Sequence, residues 1–385
     1  MNKLIYLLFF FTSMAFAILA VFIFVPVSQF PAPDGPYGVG YVKYHWIDKA
    51  RQELNVQDPE HPNRELMAYV FYPTDKNHQG ERVGYNSDQI NGYIGLMSYT
   101  SGFPAWLFGG VYFLKTHSQL NVPIAKVDSK FPVVIVSHGW GAQLHGWTWF
   151  CELLASNGYF VVGISHPYVA EITRYLDNRV VKTLVFKKAA ERKQEGGEER
   201  YRSWKADQVE ICAQDMSSVI TKLEELNVQG SEFWSGKIDL NKIGVMGGSF
   251  GGTTSVRACR KDSRISCGID MDGCLRGDDV TAKLLKPFMI MLAEQSNQWV
   301  DDRGIKDLDN INAFINRSEN NIEKVTFKNL GHAAFSDAPI ILNSTLFTRI
   351  FSRYFDFIGT SNPTESPSVG TLYKEMGKIN SRIVG

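Results

Sequence analysis

The stretch GVMGGSFGG, Gly244 to Gly252, limits what this chain can fold into more than any other. It packs glycines on both sides of Ser249 directly after an apolar run and before the helix-like GTTSVRACRK. A glycine costs about 0.5–1 kcal/mol against alanine inside regular structure, so this density marks a backbone that must go where other residues cannot. Gly247-Gly248-Ser249-Phe250-Gly251 matches G-x-S-x-G, and a buried strand before it with a helix after it is the setting in which that motif forms a nucleophile elbow. In such an elbow Ser249 takes a strained conformation that exposes its hydroxyl, while Gly247 and Gly251 let strand and helix approach. The competing reading is a glycine-rich turn with a passive serine.

A serine hydroxyl is a weak nucleophile until a base takes its proton. The chain order of this elbow places an acid and then a histidine downstream. His332, in NLGHAAF, is the one histidine after Ser249. Three acids compete to orient it: Asp272, at the carboxyl end of CGIDMD, ranks first, Glu294 second and Asp270 third. Donors for a developing oxyanion are expected at the backbone amides of Trp140, in SHGWGAQ, and of Phe250. His138 and His166 read as structural hydrogen-bonding residues.

Short apolar runs recur at Glu65–Pro73, Phe131–Gly139, Tyr159–Pro167, Lys242–Ser249, Ile265–Gly273, Pro287–Gln295 and Glu323–His332. Most have the composition of strands buried on both faces of a parallel sheet. Helix-like stretches alternate with them, which predicts the α/β class, a mostly parallel sheet with helices on both faces, filling residues 41–360 as one catalytic domain. Phe186–Lys205 mixes both charges and reads as a solvated insertion without a catalytic part. Ser98–His117 is aromatic and is open to two readings, an apolar acyl pocket or ordinary core.

Leu4–Val27 is 24 residues without a charge, enough to cross a hydrocarbon core of about 30 Å as a helix. Lys3 before it and Lys43 after it orient an uncleaved anchor with its N-terminus in the cytoplasm and the body outside. Secretion after cleavage near Ala15-Phe16-Ala17 is the alternative. Residues 1–28 are therefore expected as a signal anchor, 29–40 as a proline- and glycine-rich linker and 361–385 as a tail. Forty basic residues balance forty acidic ones, which shows no field for nucleic acid. Cys151, Cys212, Cys259, Cys267 and Cys274 lack metal-ligand spacing, so neither zinc nor any other cofactor is expected, and a disulfide among the last three stays open.

With these residues placed, the chain resembles the platelet-activating factor acetylhydrolase family of α/β-hydrolases over roughly Gly35 to Phe357. The resemblance is carried by GPYGVG, FPVVIVSHGWGA, SNGYFVVGISHP, GGSFGGTT, CGIDMDG and NLGHAAFSD. It implies Ser249 as nucleophile, Asp272 as acid and His332 as base, with Trp140 and Phe250 as oxyanion amides. It also implies calcium-independent hydrolysis of esters, including short or oxidised sn-2 acyl groups of phospholipids. Gly248 departs from the family's pattern, which usually has histidine there and so puts local packing and acyl preference in question. A general short-chain carboxylesterase or polyester hydrolase of the envelope is the nearest alternative. A membrane-anchored, non-catalytic protein binding a lipid or partner is the alternative of another class.

Overall fold

The structure is a computed structural model that describes residues 2–26, 29–85, 94–95, 98, 102–228, 234–298, 305–319 and 321–351. The tail expected at 361–385 lies outside the described residues, as do residues 352–360 of the expected catalytic domain.

Each apolar run seen in the sequence is a strand of one large sheet. The strands are β1 (Gly38–Gln52), β2 (Asn63–Thr74), β3 (Arg82–Gly84), β4 (Lys115–Leu120), β5 (Phe131–Ser137) and β6 (Phe160–Ser165). After a separate hairpin of β7 (Ile172–Arg174) and β8 (Val180–Lys182) come β9 (Ile238–Gly248), β10 (Cys267–Met271), β11 (Phe288–Ala293) and β12 (Ile322–Phe327). The order across the sheet is β12-β11-β10-β9-β5-β6-β2-β1-β4-β3. From β12 to β6 every pairing is parallel. β2 departs from the parallel expectation: it pairs antiparallel with β6 and also with β1, the latter as a hairpin closed by the loop after Gln52.

Side chains alternate across a strand, so each run feeds two cores at once. In β5, Val134 and Val136 join one core with Met246, Ile269 and Met291, while Val133 and Ile135 join the other with Phe160, Val245 and Ile290. Removing each such side chain from water contributes about 1.5–3 kcal/mol. Helices cover both faces: α2 (Thr148–Ser156) lies on the first core, and α3 (Val185–Val228) and α4 (Phe250–Lys261) on the second. This is the expected mostly parallel α/β architecture.

The first helix, α1 (Asn2–Phe24), has an apolar stretch over Ile5–Phe24 long enough to cross a membrane, and its side chains are largely exposed. Only its end is docked. Ile23 is buried, Phe24 fills the space beside Gly109, and Pro26 bridges to Thr345.

Three stretches gain structural detail. The stretch Gln29–Gly40 packs against the body: Phe30 is buried, Gly35 stands where a Cβ would lie 2.0 Å from the Ser156 carbonyl oxygen, and Gly38 already opens β1. The charged stretch after Val185 is helical, with a break at Gly196 and at Gly197, whose φ of +66° favours glycine. Within Ser98–His117, Ala105–Phe113 packs against the end of α1 and Lys115–Leu120 is β4, so the described part of this stretch serves the core and the helix dock. All five cysteines are free thiols, four buried and Cys274 partly so.

Candidate active site

Ser249 sits between β9 and α4 with φ +57° and ψ −122°, a conformation that costs a non-glycine residue about 1–3 kcal/mol. Its surroundings hold it there. The Ser249 amide donates to the Met271 carbonyl at 2.8 Å, and the amides of Gly252 and Thr253 donate back to the Ser249 carbonyl. Glycine is required beside it by close approach. A Cβ on Gly247 would lie 2.4 Å from the Gly251 backbone, and one on Gly251 would lie 2.2 Å from the Ser137 carbonyl oxygen.

β10 lies beside β9, and its end delivers the acids. Asp272, also at positive φ, is 1% exposed and turns its carboxylate toward the loop after β11. Its Oδ1 accepts from the Ala293 amide at 2.8 Å, while Oδ2 accepts from Ser296 Oγ at 2.6 Å and from His332 Nδ1 at 2.7 Å. Three donors on one carboxylate fix its orientation, and a proton on His332 Nδ1 leaves Nε2 as the basic nitrogen.

The two competing acids stand elsewhere. Glu294 is exposed and accepts from the Asn329 amide at 2.9 Å. Asp270 points to the other side of the sheet end, where its Oδ1 accepts from the Gly273 amide at 2.7 Å and would lie 1.8 Å from a Cβ on Gly252. Burial, with the Asp272 charge adding to it, pushes the Asp270 carboxyl up to about 8. Gly252 and Gly273 therefore make room for a buried carboxyl beneath the elbow.

The loop after β5 passes on the opposite flank of Ser249. A Cβ on Gly139 would stand 3.3 Å from Ser249 Cβ, so this backbone runs close beside the serine. Among the described residues, the amides of Trp140 and Phe250 have no backbone acceptor. Their side chains pack with ring centroids 4.6 Å apart and planes tilted by 58°, and Trp204 of α3 packs on Trp140 at 5.5 Å. The charged insertion thus ends in an aromatic support for this loop, which its composition did not reveal.

His138 and His166 form the base of the loop. The His138 Nδ1–H donates to the Gly139 carbonyl at 2.8 Å, and its Nε2 accepts from the His166 amide at 3.1 Å. His166 Nδ1–H donates to Asp215 at 2.8 Å, leaving Nε2 to accept from Ser137 Oγ at 2.9 Å. Burial and the neighbouring His166 push His138 down to about 3, so it is neutral. Burial alone would push Asp215 up, but Arg64, His166 and Arg51 outweigh it and hold this carboxyl well below its ordinary range. His166, Cys212 and Asp215 are close enough for a metal ion, yet Asp215 already accepts from Arg64 at 2.7 and 3.1 Å and from Arg51 at 2.7 Å. Two guanidinium groups supply the positive charge that a metal would bring, so the set reads as an ion-pair network.

Sequence reasoning missed Arg64, Asp215, Ser296 and Trp147. None belongs to a local motif. Trp147 fills the space beside Gly248, where a Cβ would lie 2.5 Å from its indole.

Fold and site together define the class: an α/β-hydrolase fold with a serine at the strand-to-helix turn after β9 and an aspartate–histidine pair at the end of the neighbouring strand β10. The family model described as platelet-activating factor acetylhydrolase, isoform II, matches residues 22–369, and the chain belongs to that family. Platelet-activating factor acetylhydrolase of Gallus gallus is 26% identical over 273 residues, covering 63% of this chain and 60% of that protein. The Cavia porcellus protein of the same name is 24% identical, with coverages of 72% and 64%. A probable 1-alkyl-2-acetylglycerophosphocholine esterase of Arthroderma benhamiae is 26% identical, with coverages of 66% and 61%. The chain thus spans 60–64% of the length of these curated relatives. Among solved structures, a ferulic acid esterase from Streptomyces cinnamoneus shares the fold with a TM-score of 0.63 at 21% identity, over 89% of this chain and 96% of that one.

Proposed function

We propose that this chain is a serine ester hydrolase that removes short or oxidised sn-2 acyl groups from phospholipids through an acyl-enzyme. The observation that carries the reading is the 2.7 Å bond between His332 Nδ1 and Asp272, at the end of the strand next to the one that delivers Ser249 in its strained turn. Family membership supports the ester chemistry, and the names of the relatives support an acetylated phospholipid as substrate.

In this mechanism Ser249 Oγ attacks the ester carbonyl while His332 Nε2 takes its proton. Asp272 keeps the imidazole in the required tautomer and stabilises its charged form without taking the proton itself. The Trp140 and Phe250 amides hold the oxyanion, each donor being worth about 2.7–4 kcal/mol in the transition state. His332 then protonates the leaving alcohol, and water enters by the reverse proton path to release the acid. α1 is the anchor in this reading, with its N-terminus in the cytoplasm and the hydrolase body at the outer membrane face, close to lipid. No cofactor takes part.

A fluorophosphonate probe tests the chemistry: it labels Ser249 in the folded protein, and an unlabelled Ser249 would leave a lipid- or partner-binding protein as the reading. A panel of phospholipids and simple esters of graded acyl length then separates a phospholipid hydrolase from a general carboxylesterase. Equal turnover of phospholipid and simple esters of the same acyl length would favour the latter.

A further inference from the structure

The position that departs from the family's pattern is also the one whose space another residue takes. Trp147 ends the short turn Leu144–Trp147 after the β5 loop and is 5% exposed. A Cβ on Gly248 would lie 2.5 Å from its Cζ2 and 2.7 Å from its Nε1, so any side chain at 248 would displace the indole. A Cβ on Gly139 would lie 3.4 Å from its Cη2 and 3.3 Å from Ser249 Cβ. One edge of the ring therefore runs along both backbones that carry the site, the residue before the serine and the residue before the Trp140 amide. The indole Nε1–H has no acceptor among the described residues, so shape rather than a hydrogen bond places the ring.

Sheet order gives this wall a direction. β9 has β10 on one side and β5 on the other. Asp272 and His332 stand on the β10 side, and Trp147 reaches in from the β5 side. For an ester with its carbonyl oxygen on the Trp140 and Phe250 amides and its leaving oxygen toward His332, the remaining direction, along Gly248 and the Trp147 ring, is the one we assign to the acyl chain. We propose that Trp147, seated in the room that Gly248 vacates, is the wall that sets the length of the acyl group this site accepts. The proposal rests on the ester hydrolase reading and deepens it, with Gly248 and Trp147 acting as one unit: glycine admits the ring, and the ring shortens the acyl site.

The test uses the full chain in detergent with nitrophenyl acetate, butyrate and octanoate, and beside them a series of acetyl esters that differ only in the alcohol. Trp147→Ala should raise the ratio of kcat/KM for octanoate to that for acetate about tenfold or more, since each methylene a pocket can or cannot hold changes the rate by about ten- to two-hundredfold. The alcohol series should keep its order, whereas damage to folding alone would lower every ester alike. If Trp147→Ala does not fold, Trp147→Phe and Gly248→Ala replace it. The smaller ring should move the ratio up, and the added methyl should move it down by pushing the indole toward the acyl site. A ratio unmoved in folded variants of an active enzyme overturns the role of Trp147 alone. A wild-type protein that turns over no acetyl ester overturns the hydrolase reading and this inference with it.

Discussion

Replacing His138 by phenylalanine tests how the proposed oxyanion site is held. The His138 Nδ1–H bonds the Gly139 carbonyl, and that carbonyl shares one rigid peptide plane with the Trp140 amide, so the imidazole sets where the Trp140 N–H points. The same bond polarises the peptide and strengthens its N–H as a donor. Phenylalanine keeps the ring and loses both nitrogens. If the peptide is then free to turn, the transition state loses one donor, about 2.7–4 kcal/mol, which is a fall in kcat of about 10²–10³. The His166 amide also loses its acceptor, His138 Nε2, and a buried unpaired amide costs about 1–3 kcal/mol of stability. Steady-state hydrolysis of nitrophenyl acetate should therefore show a lower kcat with little change in KM, in a protein that still melts cooperatively. A folded His138→Phe protein with kcat within about threefold of wild type would refute the reasoning, because one missing donor cannot cost so little.

Ser249→Ala should abolish turnover and probe labelling, while Asp272→Asn should lower kcat about 10⁴-fold through the wrong His332 tautomer. Asp270→Asn should leave most activity, because its carboxyl faces Gly273 rather than His332; the reverse pattern would exchange the roles of the two acids. Arg64→Met should destabilise by about 3–5 kcal/mol in urea titrations, since Asp215 would stay buried with part of its positive charge removed. His138 has a folded pKa pushed from 6.5 down to about 3, so its neutral form stabilises the fold fully above pH 6.5. That contribution is lost as pH falls toward 3, by up to about 1.4 kcal/mol per pH unit, and His138→Phe should flatten this part of a melting-temperature profile.

What the sequence determined by itself is what backbone chemistry writes locally. Glycines at 247 and 251 are needed because no Cβ fits between the turn at Ser249 and the β5 backbone, and that need is visible in nine consecutive residues. Burial on both faces of a parallel strand likewise leaves a continuous apolar run that can be read without neighbours, which is why β5, β6, β9, β10 and β11 were legible. β1 was not, because its polar and exposed second half carries no such run.

Only tertiary structure shows which of Asp270, Asp272 and Glu294 bonds His332. All three lie at or near strand ends, and the direction each carboxylate takes depends on the loop after β11 and on where the His332 turn comes to rest. The support of the loop after β5 was equally hidden: Arg64 and Asp215 are 151 residues apart, and a buried charge pair has no periodicity to announce it. Gly248 shows the division most simply. Its lack of a side chain could be read from the sequence, but the reason is the Trp147 ring, which only packing brings into that space.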